Sequence, residues 1–334
     1  MSVVIAIDAM GGDSAPAEIV KGALESLSDG DFKLILIGVE SAIKRELAKY
    51  SLSDNQINRI EIVAAKDIIG NDESPVQAIR TKKDSSIVRG LNLLKDQKAQ
   101  AFLSAGATGA VLTGATLIVG RVRGIERPAL GTLLPNSRGF SFLIDSGANV
   151  DAKPQYLLQF ASMGSLYMEH ILSVKKPRVG LLNIGAEREK GNALTKEAYG
   201  LLEKSSDINF VGNVEARDVP LGAVDVVVCD AFAGNIVLKY TEGFAKAMMG
   251  MIKEELMSSY MSRIGALLAK DAFSNLKKRF DYREVGGAPL LGLKGLAVKA
   301  HGSSDSLAIR SALKQCVSFC AKDVVEKIAR SIQK

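Results

Sequence analysis

The sequence predicts an α/β protein in which helices cover both faces of a mostly parallel β-sheet, giving three layers. Short runs rich in Val, Ile and Leu alternate with longer helical patterns. Uninterrupted apolar runs of this length are typical of strands buried on both faces, and their alternation with helices is typical of parallel strands joined by covering helices. The runs occupy residues 3–7, 34–37, 60–63, 101–103, 140–144, 179–184 and 224–229.

Composition limits the class of protein. A chain of 334 residues with 47% hydrophobic content can bury a large core. We expect residues 1–334 to form one α/β domain, with a two-lobed arrangement as the alternative. The net charge of +6 is too small for a dedicated nucleic-acid binder and fits an acidic partner or substrate better. Three cysteines without zinc-ligand spacing predict neither a disulfide framework nor a metal site. The first residues do not resemble a secretion signal, because they lack a basic segment, and we expect a cytoplasmic protein.

One uncharged stretch lies between Lys98 and Arg121. A length near 20 residues is enough to span a bilayer. The stretch is interrupted by Gly106, Gly109 and Gly114. We therefore favour a buried strand, a glycine turn and a core-facing helix over a transmembrane helix.

Residues 234–280 are predicted to form one long helix, because apolar residues recur at four-residue steps from Phe244 to Leu268. The segment ends in a basic run at 276–280. This is longer than a helix that only covers a sheet, so residues 241–280 are predicted to form a protruding arm. Two interpretations stay open. The arm packs against a second subunit, or its amphipathic tip contacts a membrane, and both can hold in a dimer.

Two glycine loops follow predicted strands. Residues 8–16 contain Gly11 and Gly12 before a helix start, and residues 104–110 repeat this design between Ser104 and Thr108. Tight glycine backbone and the exposed amides of a helix N-terminus form an anion site. Plain glycine turns are the alternative, but two such loops favour phosphate binding.

Polar segments follow further strands, at 145–149, 183–187, 212–218, 230–235 and 300–306. Such clustering points to one shared cleft. The chain lacks the dinucleotide, P-loop, zinc-protease and nucleophile-elbow motifs. Their absence argues against dinucleotide binding, NTP binding, zinc-protease activity and hydrolase activity. Of two histidines, His301 follows a strand end and is a candidate for chemistry, whereas His170 is expected on a helix surface.

Four motifs carry a family resemblance: Ile-Asp-Ala-Met-Gly-Gly-Asp at 7–13, Arg-Pro-Ala-Leu at 127–130, Gln-Phe-Ala-Ser-Met-Gly at 159–164 and Gly-Gly-Ala-Pro-Leu-Leu-Gly at 286–292. In this order they resemble the PlsX-type phosphate acyltransferases over residues 7–304. The resemblance implies transfer of a long-chain acyl group from acyl carrier protein to inorganic phosphate, giving acyl phosphate for phospholipid synthesis. It implies a fold similar to phosphotransacetylases and isocitrate dehydrogenases, and no cofactor is expected.

The same resemblance implies a homodimer that associates peripherally with the anionic cytoplasmic face of the membrane. There a membrane acyltransferase partner would use the acyl phosphate. Three positions depart from the family pattern: Ala107 stands where asparagine is usual, and Ala216 and Ala231 stand where glycine is usual. These departures leave the fold prediction intact and bear on the fine geometry of the loops.

Phosphate is already an anion near pH 7, and a thiolate leaves readily, so neither a strong base nor a protein nucleophile is required. The enzyme would position the reactants and stabilise the oxyanion. The resemblance of residues 230–239 and 303–305 to phosphotransacetylase segments supports the assignment. The candidate catalytic residues are His301, as proton donor to the thiolate, Asn235 and Ser303, as oxyanion donors, and Asp230.

The candidate phosphate-binding and substrate-binding residues share positions in the strand-end loops. They are Asp8, Gly11, Gly12, Asp13, Ser104, Thr108, Lys190, Asn192, Arg217, Gly234, Lys239 and Ser304. Among them the amides of Gly11 and Gly12, with Lys190 and Arg217, are expected to hold phosphate.

Rival hypotheses remain at this point. Cys229 offers a covalent acyl-enzyme route, although a small buried hydrophobe is the commoner role. A decarboxylating dehydrogenase would need aspartate metal ligands and a nicotinamide site, and a membrane scaffold would not explain the polar loops. The basic runs 175–178 and 277–279 are candidates for steering carrier protein or anionic lipid.

Overall fold

The computed structural model describes residues 2–280, 283 and 286–332, and the described chain contains a mixed sheet of 11 strands. All seven predicted strands are present, and four more were missed by the sequence reasoning. The strands are β1 (Val3–Asp8), β2 (Phe32–Gly38), β3 (Ile60–Ala64), β4 (Ala101–Ser104), β5 (Ala129–Asn136), β6 (Gly139–Ile144), β7 (Arg178–Asn183), β8 (Asn209–Glu215), β9 (Val226–Val228), β10 (Ala288–Leu291) and β11 (Leu296–Lys299).

The sheet consists of two parallel blocks joined by two bridging strands. Its order is β3-β2-β1-β4-β11-β10-β5-β6-β9-β7-β8. Strand β10 is antiparallel to both β11 and β5, and β5 is antiparallel to β6. The block from β3 to β11 therefore runs opposite to the block from β6 to β8.

The register makes the carboxyl ends of the two blocks meet. Leu290 pairs with Ala297 on one side and with Leu130 on the other. The next residue of β5, Gly131, pairs with Ile144, the last residue of β6. The end of β6 thus lies level with the end of β11, so loops from both blocks face one cleft.

Helices cover both faces of the sheet, which confirms the three-layer prediction. Along β1, Ile5 and Ile7 pack into one apolar cluster and Ala6 packs into another on the opposite face. The longer covering helices are α1 (Ala17–Ser26), α2 (Glu40–Leu47), α4 (Pro75–Thr81), α5 (Ser86–Lys95), α6 (Thr108–Gly114), α7 (Pro154–Leu172), α8 (Ala193–Lys204), α12 (Ser306–Ala321) and α13 (Val324–Ile332), and α3 (Asp54–Ile57) is a single turn.

The uncharged stretch before Arg121 is part of the core, as predicted. It forms β4, a glycine turn, α6 and a π-helical turn at Ala115–Val119. Within the described ranges, no helix combines the length and the apolarity that crossing a membrane requires.

The predicted single helix of residues 234–280 is wrong in one respect, because the chain forms three helices. These are α9 (Ala231–Met257), α10 (Tyr260–Leu268) and α11 (Lys270–Phe280). The break comes at Ser258 and Ser259, and the Ser259 hydroxyl caps α10 by accepting from the amide of Ser262 at 3.1 Å. Serine side chains compete for main-chain groups in this way and favour helix starts over helix interiors. The side chains of 277–280, which carry the predicted basic run, lie outside the described residues.

Helices α9 to α11 bury little of their own surface. Only Ala231 and Gly234 of α9 are buried, and no residue of α10 is. Large apolar side chains such as Tyr260, Met261 and Leu268 are well exposed.

Candidate active site

A cavity of about 510 Å³ lies where the ends of the two strand blocks meet. That volume falls within the range of roughly 300–1,000 Å³ common for small-molecule sites. Its walls are largely apolar and come from β5, β10 and the first turns of α9. Five predicted site residues line it: Thr108, Asn235, Lys239, His301 and Ser304.

The two predicted glycine loops contact each other. The Ser104 hydroxyl donates to Oδ2 of Asp8 at 2.7 Å and accepts from the amide of Gly106 at 3.0 Å. Burial raises the pKa of Asp8, and hydrogen bonds from Ser86 and Ser104 work against that rise. A Cβ on Gly11 would stand 2.4 Å from Oδ2 of Asp8, so only glycine lets the loops approach this closely.

The 8–13 loop also contacts the C-terminal segment. The amide of Asp13 donates to the carbonyl of Gly302 at 2.8 Å. Gly12 has a φ of +107° and lies against the same carbonyl. This glycine loop therefore borders the segment that carries His301.

His301 belongs to a polar cluster at the cavity wall. Its Nδ1 lies 2.8 Å from the hydroxyl of Ser303, and its Nε2 lies 3.2 Å from Nζ of Lys239. Glu242 pairs with the same ammonium at 2.8 Å. Burial, and then the charge of Lys239, lowers the pKa of His301 below its ordinary value. The imidazole is therefore mainly neutral at pH 7.

The N-terminus of α9 brings a second group of predicted residues to the cleft. Asp230 caps the helix, accepting from the amide of Ala233 at 2.8 Å, and it is not among the cavity-lining residues. Gly234 packs directly on the loop after β6, because a Cβ there would stand 1.9 Å from the carbonyl oxygen of Asp145. This contact places Asn235 on the cavity wall.

Asp145 organises the loop that receives α9. Its carboxylate is fully buried and accepts from the amides of Leu130, Gly147 and Ala148 and from both nitrogens of Asn149. Burial raises its pKa and these hydrogen bonds oppose the rise. The arrangement holds backbone in place, so Asp145 has a structural role.

Three predicted phosphate-binding residues lie elsewhere. Lys190 is exposed on the loop after β7, the side chain of Asn192 caps α8 through the amide of Thr195 at 2.9 Å, and Arg217 pairs with Glu215 at 2.8 Å. The cavity-lining residues include none of the three. Strands β7 and β8 are the outer strands of their block. Lys190, Asn192 and Arg217 follow these two strands and therefore lie away from the cavity.

Sequence reasoning missed Lys299, which is 7% exposed and lines the cavity. It ends β11, a four-residue strand that was not predicted. The sequence feature that could have identified Lys299 is its position directly before the polar segment 300–306. In that segment Asp305 caps α12 by accepting from the amide of Ala308 at 3.0 Å.

Cys229 is a poor nucleophile in this fold. Burial raises the pKa of its thiol well above the ordinary value, and the nearby carboxylates of Asp145 and Asp230 add to the effect. Its Sγ lies 3.6 Å from the carbonyl oxygen of Asp145. In the part of the chain that the structure describes, no group of three or more His, Cys, Asp or Glu side chains is arranged to hold a metal ion.

Comparison with known proteins shows the family of the chain. Residues 3–327 match the family described as Fatty acid synthesis protein. The chain is 50% identical to a phosphate acyltransferase of Clostridium acetobutylicum over 332 residues, covering 99% of each chain. It is 48% identical to a putative phosphate acyltransferase of Clostridium perfringens, covering 99% of this chain and 97% of that one.

Solved structures confirm the predicted fold. A phosphotransacetylase from Streptococcus pyogenes superposes with a TM-score of 0.62 at 16% identity, covering 100% of this chain and 95% of that one. A branched-chain phosphotransacylase from Enterococcus faecalis gives a TM-score of 0.56 at 15% identity, covering 96% and 99%. At such identities the likeness concerns the fold alone.

Proposed function

The chain belongs to the family of fatty acid synthesis proteins that includes these phosphate acyltransferases, and from that premise we propose that it moves a long-chain acyl group from acyl carrier protein to inorganic phosphate. The products are an acyl phosphate, for phospholipid synthesis, and carrier protein with a free thiol. The observation that carries the proposal is a cavity with apolar walls and a polar end at His301 and Ser304.

The apolar walls suit an acyl chain. Leu130, Leu133, Val150, Phe232 and Ile236 line the cavity. Each methylene of a bound chain that leaves water contributes about 0.8 kcal/mol to binding. A long acyl group therefore gains far more from this site than an acetyl group does.

The polar end suits transfer to phosphate. A phosphate oxygen attacks the thioester carbon, the carbon–sulfur bond breaks, and the sulfur leaves with its electron pair. The neutral imidazole of His301 accepts the proton of the attacking hydrogen phosphate and passes it to the thiolate. Asn235, which lines the cavity, and Ser303, whose hydroxyl contacts Nδ1 of His301, are the proposed donors to the oxyanion.

The exposed apolar surface of α9 to α11 supports the proposed partners. Phe244, Met248 and Met251 on α9, with Tyr260 and Leu267 on α10, are all more than 40% exposed. Several large apolar side chains exposed along neighbouring helices are typical of an interaction site. We assign it to a second subunit and to the anionic cytoplasmic membrane, beside a membrane acyltransferase that consumes the acyl phosphate.

The direct test incubates the purified full chain with palmitoyl-acyl carrier protein, with and without phosphate. Free carrier thiol and hydroxylamine-trappable acyl phosphate are followed together, and both should appear only with phosphate. Acetyl-coenzyme A is the matched short substrate and should react far more slowly. If neither product appears with folded protein, or if acetyl-coenzyme A reacts faster, the proposal is wrong.

A further inference from the structure

Lys299 is a buried cation that faces the cavity. Its Nζ donates to the carbonyl oxygen of Ala105 at 3.2 Å and to that of Ala300. An ammonium has three donors, so these two carbonyls leave one N–H for another partner. The side chain is 7% exposed and lines the cavity wall.

No described carboxylate forms a salt bridge with this ammonium. Asp8 and Asp13 attract it from a greater distance, whereas Lys239 repels it. Burying a charge without a direct partner of opposite sign costs several kcal/mol. Burial accordingly lowers the pKa of Lys299 to about 8. A bound anion would supply the missing partner.

The other cations near the cleft are already engaged or lie elsewhere. Lys239 lines the cavity but pairs with Glu242 at 2.8 Å. Arg217 pairs with Glu215, and neither it nor Lys190 lines the cavity. Lys299 is thus the cavity-lining lysine, among the residues described, that lacks an ion-pair partner.

Ser304 provides an independent observation on the same wall. It is 3% exposed, and its hydroxyl oxygen has no hydrogen-bond partner in the described structure. Buried hydroxyls are nearly always paired, so an unpaired one that lines a cavity indicates a ligand. A tetrahedral oxyanion accepts from both an ammonium and a hydroxyl.

We propose that Lys299 is a catalytic residue that binds the phosphate substrate through its ammonium, with the hydroxyl of Ser304 donating to a second phosphate oxygen. The ligand of this site is inorganic phosphate or an acyl phosphate. Lys299 and Ser304 thus take the phosphate-binding role that the sequence analysis assigned to Lys190 and Arg217. This inference deepens the proposed function and rests on it for the identity of the anion.

The test measures binding of inorganic phosphate alone by calorimetry, and the KM for phosphate in the transferase assay. Lys299→Met should weaken both by about tenfold or more, because one charge-assisted hydrogen bond at a buried group is lost. Ser304→Ala should weaken both by about threefold to tenfold. Lys299→Arg retains the charge and should recover part of the binding.

Lys294→Met is the matched control, because Lys294 is exposed in the turn between β10 and β11. Its affinity for phosphate should equal that of the wild type. Melting temperatures without phosphate show that each variant is folded.

Unchanged Kd and KM in Lys299→Met, or failure of the wild-type protein to bind phosphate, would overturn the inference. Wild-type protein that binds phosphate through Lys299 but transfers no acyl group would instead disprove the proposed function. The two failures are therefore distinguishable.

Discussion

The ammonium of Lys239 lies 3.2 Å from Nε2 of His301 and 2.8 Å from a carboxylate oxygen of Glu242. The histidine is thus subject to two opposite charges on one helical turn of α9. Lys239 lowers the pKa of His301 and Glu242 raises it, on top of the larger lowering by burial. The balance keeps the imidazole mainly neutral at pH 7, the form that the proposed proton transfer from phosphate requires.

We predict that substitutions of these two neighbours move the pKa of His301 in opposite directions. Lys239→Met removes a repelling cation and should raise it, whereas Glu242→Gln removes an attracting anion and should lower it. Histidine NMR titrations measure both changes, and the acidic limb of the rate profile should follow them. His170, the other histidine of the chain, gives a second signal from which that of His301 must be distinguished. Shifts of equal sign in the two variants would contradict the assignment.

The N-terminus of α9 depends on a glycine. Gly234→Ala would place a Cβ 1.9 Å from the carbonyl oxygen of Asp145, so the helix must move away from that loop. We expect a loss of about 1–3 kcal/mol in the free energy of unfolding, from overpacking, together with reduced activity because Asn235 moves with the helix.

Gly243→Ala, in the same helix, is the control. Nothing lies within 4 Å of a Cβ there, so it should stabilise the protein by up to about 1 kcal/mol. Urea unfolding measures both variants. Equal stabilities for the two would show that the close approach of α9 to Asp145 is wrong.

Cys229 should be dispensable for catalysis. Its thiol is buried and its pKa is raised, so little thiolate forms at pH 7. Cys229→Ser should keep turnover within about twofold of the wild type, with a loss of about 1 kcal/mol or more in stability from burying a hydroxyl. Quenched reactions analysed by mass spectrometry should contain no acylated protein, and an acyl adduct at Cys229 would reverse this conclusion.

The cavity should discriminate between acyl groups of different length. Ala288 lines it and pairs in register with Lys299 across β10 and β11. Ala288→Leu adds bulk to the wall, so kcat/KM should fall more for palmitoyl than for octanoyl carrier protein. Ala48→Leu adds the same bulk on the exposed end of α2 and should leave the ratio unchanged. An equal loss for both chain lengths would place the acyl group outside this cavity.

The fold followed from local sequence patterns wherever a strand lay in an uninterrupted apolar run. The four missed strands do not: β5 contains Gly131 and Pro135, β8 contains Asn209, Gly212 and Asn213, and β10 and β11 are four-residue strands that contain Pro289 and Lys299. Antiparallel bridging by β10 depends on long-range pairing, which periodicity does not encode. The mostly parallel sheet could therefore be predicted, but its division into two blocks of opposite direction could not.

The candidate site could be predicted only where its residues follow the ends of predicted strands. Residues directly after strands, such as His301 and Ser304, reached the cavity because parallel strands end together. Lys190 and Arg217 also follow strands, but those strands are the outer ones of their block. Lys299 lies within a strand, where a charged residue is expected to face solvent, and only the three-dimensional structure reveals that it is buried.

The burial of Lys299 should be visible in the pH dependence of stability. Its pKa is about 8 in the folded protein against an ordinary value of 10.5, so both states are protonated below pH 8. Between these values the unfolded chain holds more protons, and the stability of the folded state rises with pH by up to ~1.4 kcal/mol per unit. Lys299→Met lacks this group, so the stability of the wild type relative to the variant should increase by ~2 kcal/mol between pH 7 and pH 10.

Urea unfolding of both proteins in phosphate-free buffer measures the difference. The titratable groups that interact with Lys299 are Asp8, Asp13, Lys239 and His301, and all four are present in both proteins. Inorganic phosphate should stabilise the protonated ammonium and move the rise to higher pH. A difference that stays constant from pH 7 to pH 10 would mean that Lys299 is solvated in solution, and its role as the phosphate cation would then be untenable.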